Sequence, residues 1–183
     1  HSTKVSKKYD YLINILGADH IGYIKRISAA VSALSKGKIK LICKVSQLVK
    51  FLKNGEPFKM SKRSGDFVAL KSLLKEVEKD PIRFMMLNRS SDMELEFDFN
   101  KVLEKNKENP VFYVQYCNAR INSLFRTLKK NPNSKIKLSL NNHEINNFEL
   151  KLLRKIVEWP KIIDLASKKY EPHRIPFYLY ELS

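Results

Sequence analysis

Lys59-Met60-Ser61-Lys62-Arg63-Ser64-Gly65 gathers cationic side chains on a short stretch that closes on a glycine. Ammonium groups on such a loop can move onto a polyphosphate while backbone N–H groups approach it closely. Asn54-Gly55 upstream is a tight-turn pair, because both residues tolerate positive φ. In a chain this basic, a solvated basic turn accounts for the same residues. His20 is a second candidate: it follows an apolar run and Gly17-Ala18-Asp19. Its imidazole can hydrogen-bond a nucleotide base or ribose, or simply sit in a helix start capped by Asp19.

A third group is Tyr113, Tyr116 and Arg120, whose i, i+3, i+7 spacing puts them on one helical face. Unstacked RNA bases favour aromatics beside an arginine, through stacking and cation–π contact. Packing of the tyrosines on a neighbouring helix, with Arg120 paired to a carboxylate, explains the spacing equally well. Glu96 and Asp98 alternate to one face of an extended segment and read as a solvated edge. His143 and His173 have no partners at metal-ligand spacing, so no metal site is expected.

The 183 residues carry 35 Lys and Arg against 19 Asp and Glu, a net charge of +16. That excess points to a polyanion, nucleic acid first. With 43% hydrophobic residues the chain can bury a core and is not a disordered tail. No 18-residue apolar run is present, so no membrane association is expected. Cys43 and Cys117 have neither C-x-x-C spacing nor a disulfide pattern, which fits a reducing cytoplasm. The start, His1 to Lys8, lacks the apolar core of a signal peptide. Absence of a Walker loop, a G-x-G-x-x-G fingerprint and a G-x-S-x-G elbow argues against P-loop, dinucleotide and α/β-hydrolase chemistry.

The positioning elements follow from periodicity. Tyr11–Leu16 reads as a strand stopping at Gly17; Ile24, Ile27, Ala30, Val31 and Leu34 mark a helix ending near Gly37; Lys40–Val45 is a second strand. This is a βαβ unit with parallel strands, and Gly17–His20 sits at the carboxyl end where ligands bind in open α/β sheets. Residues 47–59 form an irregular hairpin delivering the lysine loop. Short helices follow over 70–78 and 81–88, the second with Asp80 as N-cap and Pro81 at N1; 94–99 is extended. Pro110 opens a long helix to about Lys130, with an apolar stripe from Val111 to Leu128. Residues 135–143 are polar and unassigned. Helices over 144–158, 161–169 and 175–182, the first broken by Trp159-Pro160, complete a helical last third.

Asn14-Ile-Leu-Gly-Ala-Asp-His-Ile-Gly-Tyr23, Lys59-Met-Ser-Lys-Arg-Ser-Gly-Asp-Phe-Val68, Asn109-Pro-Val-Phe-Tyr-Val-Gln-Tyr-Cys-Asn-Ala-Arg-Ile121 and Pro172-His-Arg-Ile-Pro-Phe-Tyr-Leu-Tyr-Glu181 occur in an order that closely resembles arginyl-tRNA synthetase. The lysine loop alone resembles class I synthetases in general; the Tyr113-Val-Gln-Tyr116 segment narrows the resemblance to arginine. It implies α/β plus all-α architecture. Residues 1–98 would be the C-terminal part of a Rossmann-type catalytic domain with a stem-contact segment, and 99–183 a helical-bundle anticodon-binding domain.

The implied reaction is ATP-dependent activation of arginine and transfer to tRNA-Arg, by a monomeric cytoplasmic enzyme with Mg²⁺ accompanying ATP. Lys59, Met60, Ser61 and Lys62 would bind ATP together with Gly17 and His20. Lys62 would be the first choice for stabilising the leaving pyrophosphate, followed by Lys59 and His20. Asp19 would face the arginine guanidinium, and Tyr113, Gln115, Tyr116 and Arg120 would contact tRNA. The chain departs from the family in lacking a His-Ile-Gly-His signature and the arginine-binding segment before Tyr9, and in ending at Ser183 where the family continues. Asp66 stands where Asn is usual, and Cys117-Asn118 where Ala-His is common. The resemblance therefore implies a C-terminal fragment that does not activate arginine alone. A non-catalytic RNA-binding module of the same descent is the alternative.

Overall fold

The computed structural model describes residues 1–7, 9–58, 70–131 and 144–183, with the backbone alone at 70–72. A short helix, α1 (Ser2–Ser6), precedes strand β1 (Leu12–Gly17). A 3-10 segment over Ala18–Tyr23 leads into α2 (Ile24–Ser35), and β2 (Leu41–Ser46) pairs parallel with β1 from Leu12↔Leu41 to Gly17↔Ser46. The expected βαβ unit is thus present as a two-stranded parallel sheet. α2 ends because Lys36 (φ 53°) and Gly37 (φ 75°) enter the left-handed region. Their N–H groups close on Ala33 and Ser32 carbonyls, at 3.2 and 2.8 Å, capping the last turn. Leu12, Leu41 and Val31 are buried between sheet and helix, with Ile27, Ile39 and Cys43 around them. Each such aliphatic side chain contributes roughly 1.5–3 kcal/mol through burial.

A second sheet has the order β4-β3-β5. Strand β3 (Val49–Lys53) turns at Asn54 (φ 55°) and Gly55 (φ 80°) into the antiparallel β4 (Glu56–Pro57). Positive φ at both turn residues is what a two-residue hairpin needs to match strand twist. Helices α3 (Leu70–Glu76) and α4 (Lys79–Leu87) precede β5 (Leu95–Asp98), which pairs parallel with β3. Leu73, Val77, Ile82, Phe97, Phe99 and Val102 form the core here. The Phe97 ring lies 5.8 Å from both Phe51 and Phe99, in edge-to-face contact. Two expectations are corrected. α4 begins at Lys79 with Glu78 as N-cap, not at Pro81 with Asp80 as cap. Proline is tolerated within this first turn because its missing N–H would have had no intrahelical acceptor. And Asp98 is buried at 5% exposure, not on a solvated edge.

The remainder is helical. A 3-10 turn (Lys101–Leu103) leads to α5 (Pro110–Thr127). Asn109 caps α5 by accepting from the Val111 N–H at 3.3 Å, while its own amide donates to the Val102 and Glu104 carbonyls at 2.9 and 2.7 Å. α6 (Asn147–Val157) starts with a full Asn146/Glu149 capping box. α7 (Trp159–Lys169) follows after Glu158 alone, so Trp159-Pro160 turns the chain without a loop. α8 (Arg174–Leu182) packs against α5, α6 and α7. Buried Tyr178 donates its hydroxyl to the Lys155 carbonyl at 2.9 Å. The C-terminal half of the α5 stripe is not covered by described residues: Ile121, Leu124 and Leu128 are 47%, 62% and 62% exposed. No helix among the described residues is long and apolar enough to cross a membrane.

Candidate functional site

The parallel pairing of β1 and β2 brings Gly17 level with Ser46, and the chain beyond Gly17 tightens at once into the 3-10 segment. Asp19 and His20 are presented there as exposed side chains, 77% and 55% accessible, with His20 Nε2 3.5 Å from Asp19 Oδ2. An exposed pair of this kind contributes little to stability. Both groups are consequently available to a ligand. Tyr23 lies one turn on, its ring centroid 6.1 Å from that of His20 and 5.9 Å from the Arg26 guanidinium carbon. A side chain at position 17 would place Cβ 2.6 Å from Asp19 Oδ1, so glycine leaves the Asp19 carboxylate its present position.

Lys59, Met60, Ser61 and Lys62 lie outside the described residues; the chain reaches them from the β3–β4 hairpin. The Phe58 N–H donates to the Phe51 carbonyl at 2.8 Å, extending the β3–β4 pairing to the last described residue before the loop. Asp98 anchors the turn of this hairpin. One carboxylate oxygen accepts from the Gly55 N–H at 2.7 Å; the other accepts from the N–H groups of Asn100 (2.9 Å) and Lys101 (3.3 Å). Burial disfavours the charge and is the largest single influence, but the three amide hydrogen bonds together outweigh it. The Asp98 pKa therefore lies below the usual aspartate value. Asn100 also donates from its side-chain amide to the Asn54 side chain. Sequence spacing could not expose this role, since Gly55 and Asp98 are 43 positions apart.

On α5, Tyr113 and Tyr116 are separated in their engagements. Tyr113 packs on Tyr180 of α8, centroids 5.5 Å apart, while Tyr116 stacks on Phe112 at 6.0 Å and 23° and remains 51% exposed. Arg120 is exposed and pairs with no described carboxylate. Phe112, Tyr116 and Arg120 follow one another at i, i+4, i+8, so the outward strip is aromatic–aromatic–guanidinium. Phe112 was readable from that spacing. Gln115 lies on the other side of α5, about 160° from Tyr113 at about 100° per residue. There it lines a cleft of about 340 Å³ with Arg83 and Phe84 of α4 and Ile175 and Leu179 of α8.

Lys44 of β2 also reaches the helices: its Nζ donates to the Lys169 carbonyl at 2.7 Å and sits 5.9 Å from the Tyr170 ring centroid. Tyr170 is left-handed at φ 54°, ending α7 and leaving that carbonyl free for an outside donor.

A mixed α/β region that presents the Asp19–His20 pair is followed by helices with an exposed Tyr116–Arg120 strip. Residues 114–183 match the DALR anticodon binding domain family, which defines the helical part. Over its whole length the chain is 59% identical to an arginine–tRNA ligase of Pelagibacter ubique (strain HTCC1062) and 52% identical to one of Roseobacter denitrificans. It also superimposes on a crystal structure of a putative arginyl-tRNA synthetase from Campylobacter jejuni with TM-score 0.85 and 31% identity, covering 100% of this chain and 39% of that one. The Thermus thermophilus arginyl-tRNA synthetase shares the fold, with TM-score 0.72 at 20% identity over 96% of this chain and 32% of its own. The chain is thus similar along its entire length to proteins named arginine–tRNA ligase, and it spans about a third (32%) of the length of these curated relatives.

Proposed function

We propose that this chain forms part of an arginine–tRNA ligase, which activates arginine with ATP and transfers it to tRNA-Arg. The observation that carries the reading is 59% identity along all 183 residues to a protein of that name. In this reading residues 1–98 are the last βαβ part of a Rossmann-type catalytic domain with the lysine loop and a stem-contact segment. Residues 99–183 are the anticodon-binding domain. The enzyme would act in the cytoplasm as a monomer.

The residues fit the substrates chemically. Asp19 is an exposed carboxylate at a strand's carboxyl end and matches a guanidinium in charge and bidentate shape. His20 beside it offers a ring nitrogen to base or ribose. Lys59 and Lys62 supply two ammonium groups for the phosphates of ATP, with Met60 and Ser61 between them; Gly17 keeps the floor open. In the activation step the arginine carboxylate attacks the α-phosphorus, the bond to the bridging oxygen breaks, and pyrophosphate leaves with the electron pair. Lys62, then Lys59, would stabilise that leaving charge, and Mg²⁺ would accompany ATP as part of the substrate. Preorganised charge of this kind is worth on the order of 10²–10³ in rate per donor.

Tyr116 and Arg120 would take an unstacked base and its phosphate, Tyr113 would back them from its packing on Tyr180, and Gln115 would make its RNA contact from the cleft on the other side of α5. No His-Ile-Gly-His segment occurs in the 183 residues, so arginine activation by this stretch alone is not expected. The test is paired: the isolated chain should bind tRNA-Arg, lose affinity when anticodon bases are changed, and show no arginine-dependent ATP–pyrophosphate exchange. Anticodon-blind binding would sink the first part, and exchange activity the second. A non-catalytic RNA-binding module is supported by the exposed aromatic–arginine strip alone. It would be distinguished by tRNA binding that no addition of the rest of a synthetase converts into charging.

A further inference from the structure

The βαβ unit, residues 12–46, and the second sheet are separate sheets joined through Gln47 and Leu48. At that join the Gln47 N–H donates to the Ser91 carbonyl at 2.8 Å. Among the described residues, the side-chain hydrogen bond that leaves residues 12–46 for another part of the chain is that of Lys44. Its target, the Lys169 carbonyl, is 125 positions away at the end of α7. The carbonyl end of the helix dipole favours an ammonium there. Position 170 is left-handed in this helix ending, a geometry that glycine adopts with least strain. The chain has a half-buried tyrosine instead, and its ring is the one beside the Lys44 ammonium. Asp92, in the turn before β5, belongs to the same corner. Its pKa is lowered first by the Ser90 hydroxyl, which donates to it, then by its own amide, and further by charge on His173 and Lys44. Strand β2, the turn before β5 and the α7–α8 turn thus converge on one lysine.

We infer that Lys44 is a positioning residue, docking the carboxyl end of α7 on the βαβ unit and so fixing the helices relative to the Asp19–His20 end. Lys44 is two residues, about 7 Å, from Ser46, which lies level with Gly17 in the parallel pairing. The bond therefore reaches the helices from beside the strand end that presents the candidate site. Parts of a chain that share only small polar contacts move relative to one another by default. One attachment, at Gln47 and Leu48, leaves the unit free to swing; a second fixed point at Lys44 stops that rotation. The bond lies at the surface, where water replaces what is removed, so its loss costs orientation rather than folding. This role rests on the ligase reading, in which one tRNA engages both the helices and the strand ends.

The test has two arms. In the 183-residue chain carrying Cys43→Ala and Cys117→Ala, spin labels at Lys25→Cys of α2 and Lys161→Cys of α7, both exposed positions, report the distance between unit and helices by double electron–electron resonance. Lys44→Met should give a distance distribution about twice as wide as the parent's. Lys44→Arg, which keeps a donor and a cation beside the ring, should match the parent. The Tm of Lys44→Met should fall by no more than about 4 °C, so that the widening is not unfolding. The second arm is a chimera in which this chain replaces the corresponding third of the Pelagibacter ubique relative. There Lys44→Met should lower kcat for charging tRNA-Arg about 10-fold, with KM for tRNA within about twofold, and Lys44→Arg should restore it. If the parent chimera charges tRNA-Arg, an unchanged distance distribution in Lys44→Met, or full charging by it, would overturn the positioning role and leave the ligase reading standing. A folded parent chimera that never charges tRNA-Arg would overturn the ligase reading, and the positioning role with it.

Discussion

Asp98→Ala should loosen the hairpin that leads to the lysine loop, and the size of the effect follows from the three amides it serves. Gly55, Asn100 and Lys101 each donate to this carboxylate, and all three residues are solvent-exposed. Water can therefore replace part of what is removed, which places each bond at the low end of the usual cost, about 1 kcal/mol. The total is about 2–3 kcal/mol, or a fall in Tm of about 4–12 °C for a chain of this length. Asp98→Asn should cost less, about 1.5 kcal/mol. Its remaining oxygen can keep the Asn100 and Lys101 amides, but its NH₂ must then face the Gly55 N–H, donor against donor.

The pH dependence has a definite sign. The folded-state pKa of Asp98 lies below the unfolded value of about 3.9, so its contribution is complete above that value and is lost as pH falls through the folded pKa. Urea unfolding of the parent and both variants at pH 7 and at steps below about pH 4 reads both effects. The gap between parent and Asp98→Asn should close in the acid limb. Variants within about 0.5 kcal/mol of the parent at pH 7, or a gap that widens with acid, would falsify the hub role.

Phe97→Ala removes a fully buried ring packed on Phe51 and Phe99 and should destabilise the chain by about 3–5 kcal/mol in the same assay. Asn146→Ala breaks the capping box that starts α6 and should cost about 1 kcal/mol, with faster amide exchange confined to the first turn of that helix. Tyr178→Phe deletes a buried hydroxyl bonded to the Lys155 carbonyl and should cost about 1 kcal/mol in urea unfolding, with the far-ultraviolet helical signal unchanged.

The βαβ unit was readable because Leu12, Val31 and Leu41 obey strand and helix periods and Gly17 and Gly37 punctuate them. The hairpin was equally plain from Asn54-Gly55, whose left-handed geometry few other pairs accept. What escaped was long-range. The parallel pairing of β5 with β3 joins residues more than 40 positions apart, and no local pattern announces it. Asp98 looked like a solvated acid because the amides that neutralise its burial come partly from that distant turn. The α5 stripe is buried at Val111 and half-buried at Val114 and Phe125, but Ile121, Leu124 and Leu128 are exposed, so periodicity named a face that the described residues cover only in part. At the candidate site, Gly17–His20 stands where the strand pattern put it. The tyrosine motif divided: one spacing placed Tyr113 and Tyr116 together, but only the packing of Tyr180 on α8 distinguishes the covered ring from the presented one.

The most direct test of the ligase reading is a chimera in which this chain replaces the corresponding third of the Pelagibacter relative. The chimera should charge tRNA-Arg with arginine, and Lys62→Ala within it should lower kcat by about 10²–10³ with the fold intact. A soluble, folded chimera that binds tRNA-Arg but never arginylates it, or one indifferent to Lys62, would contradict the account.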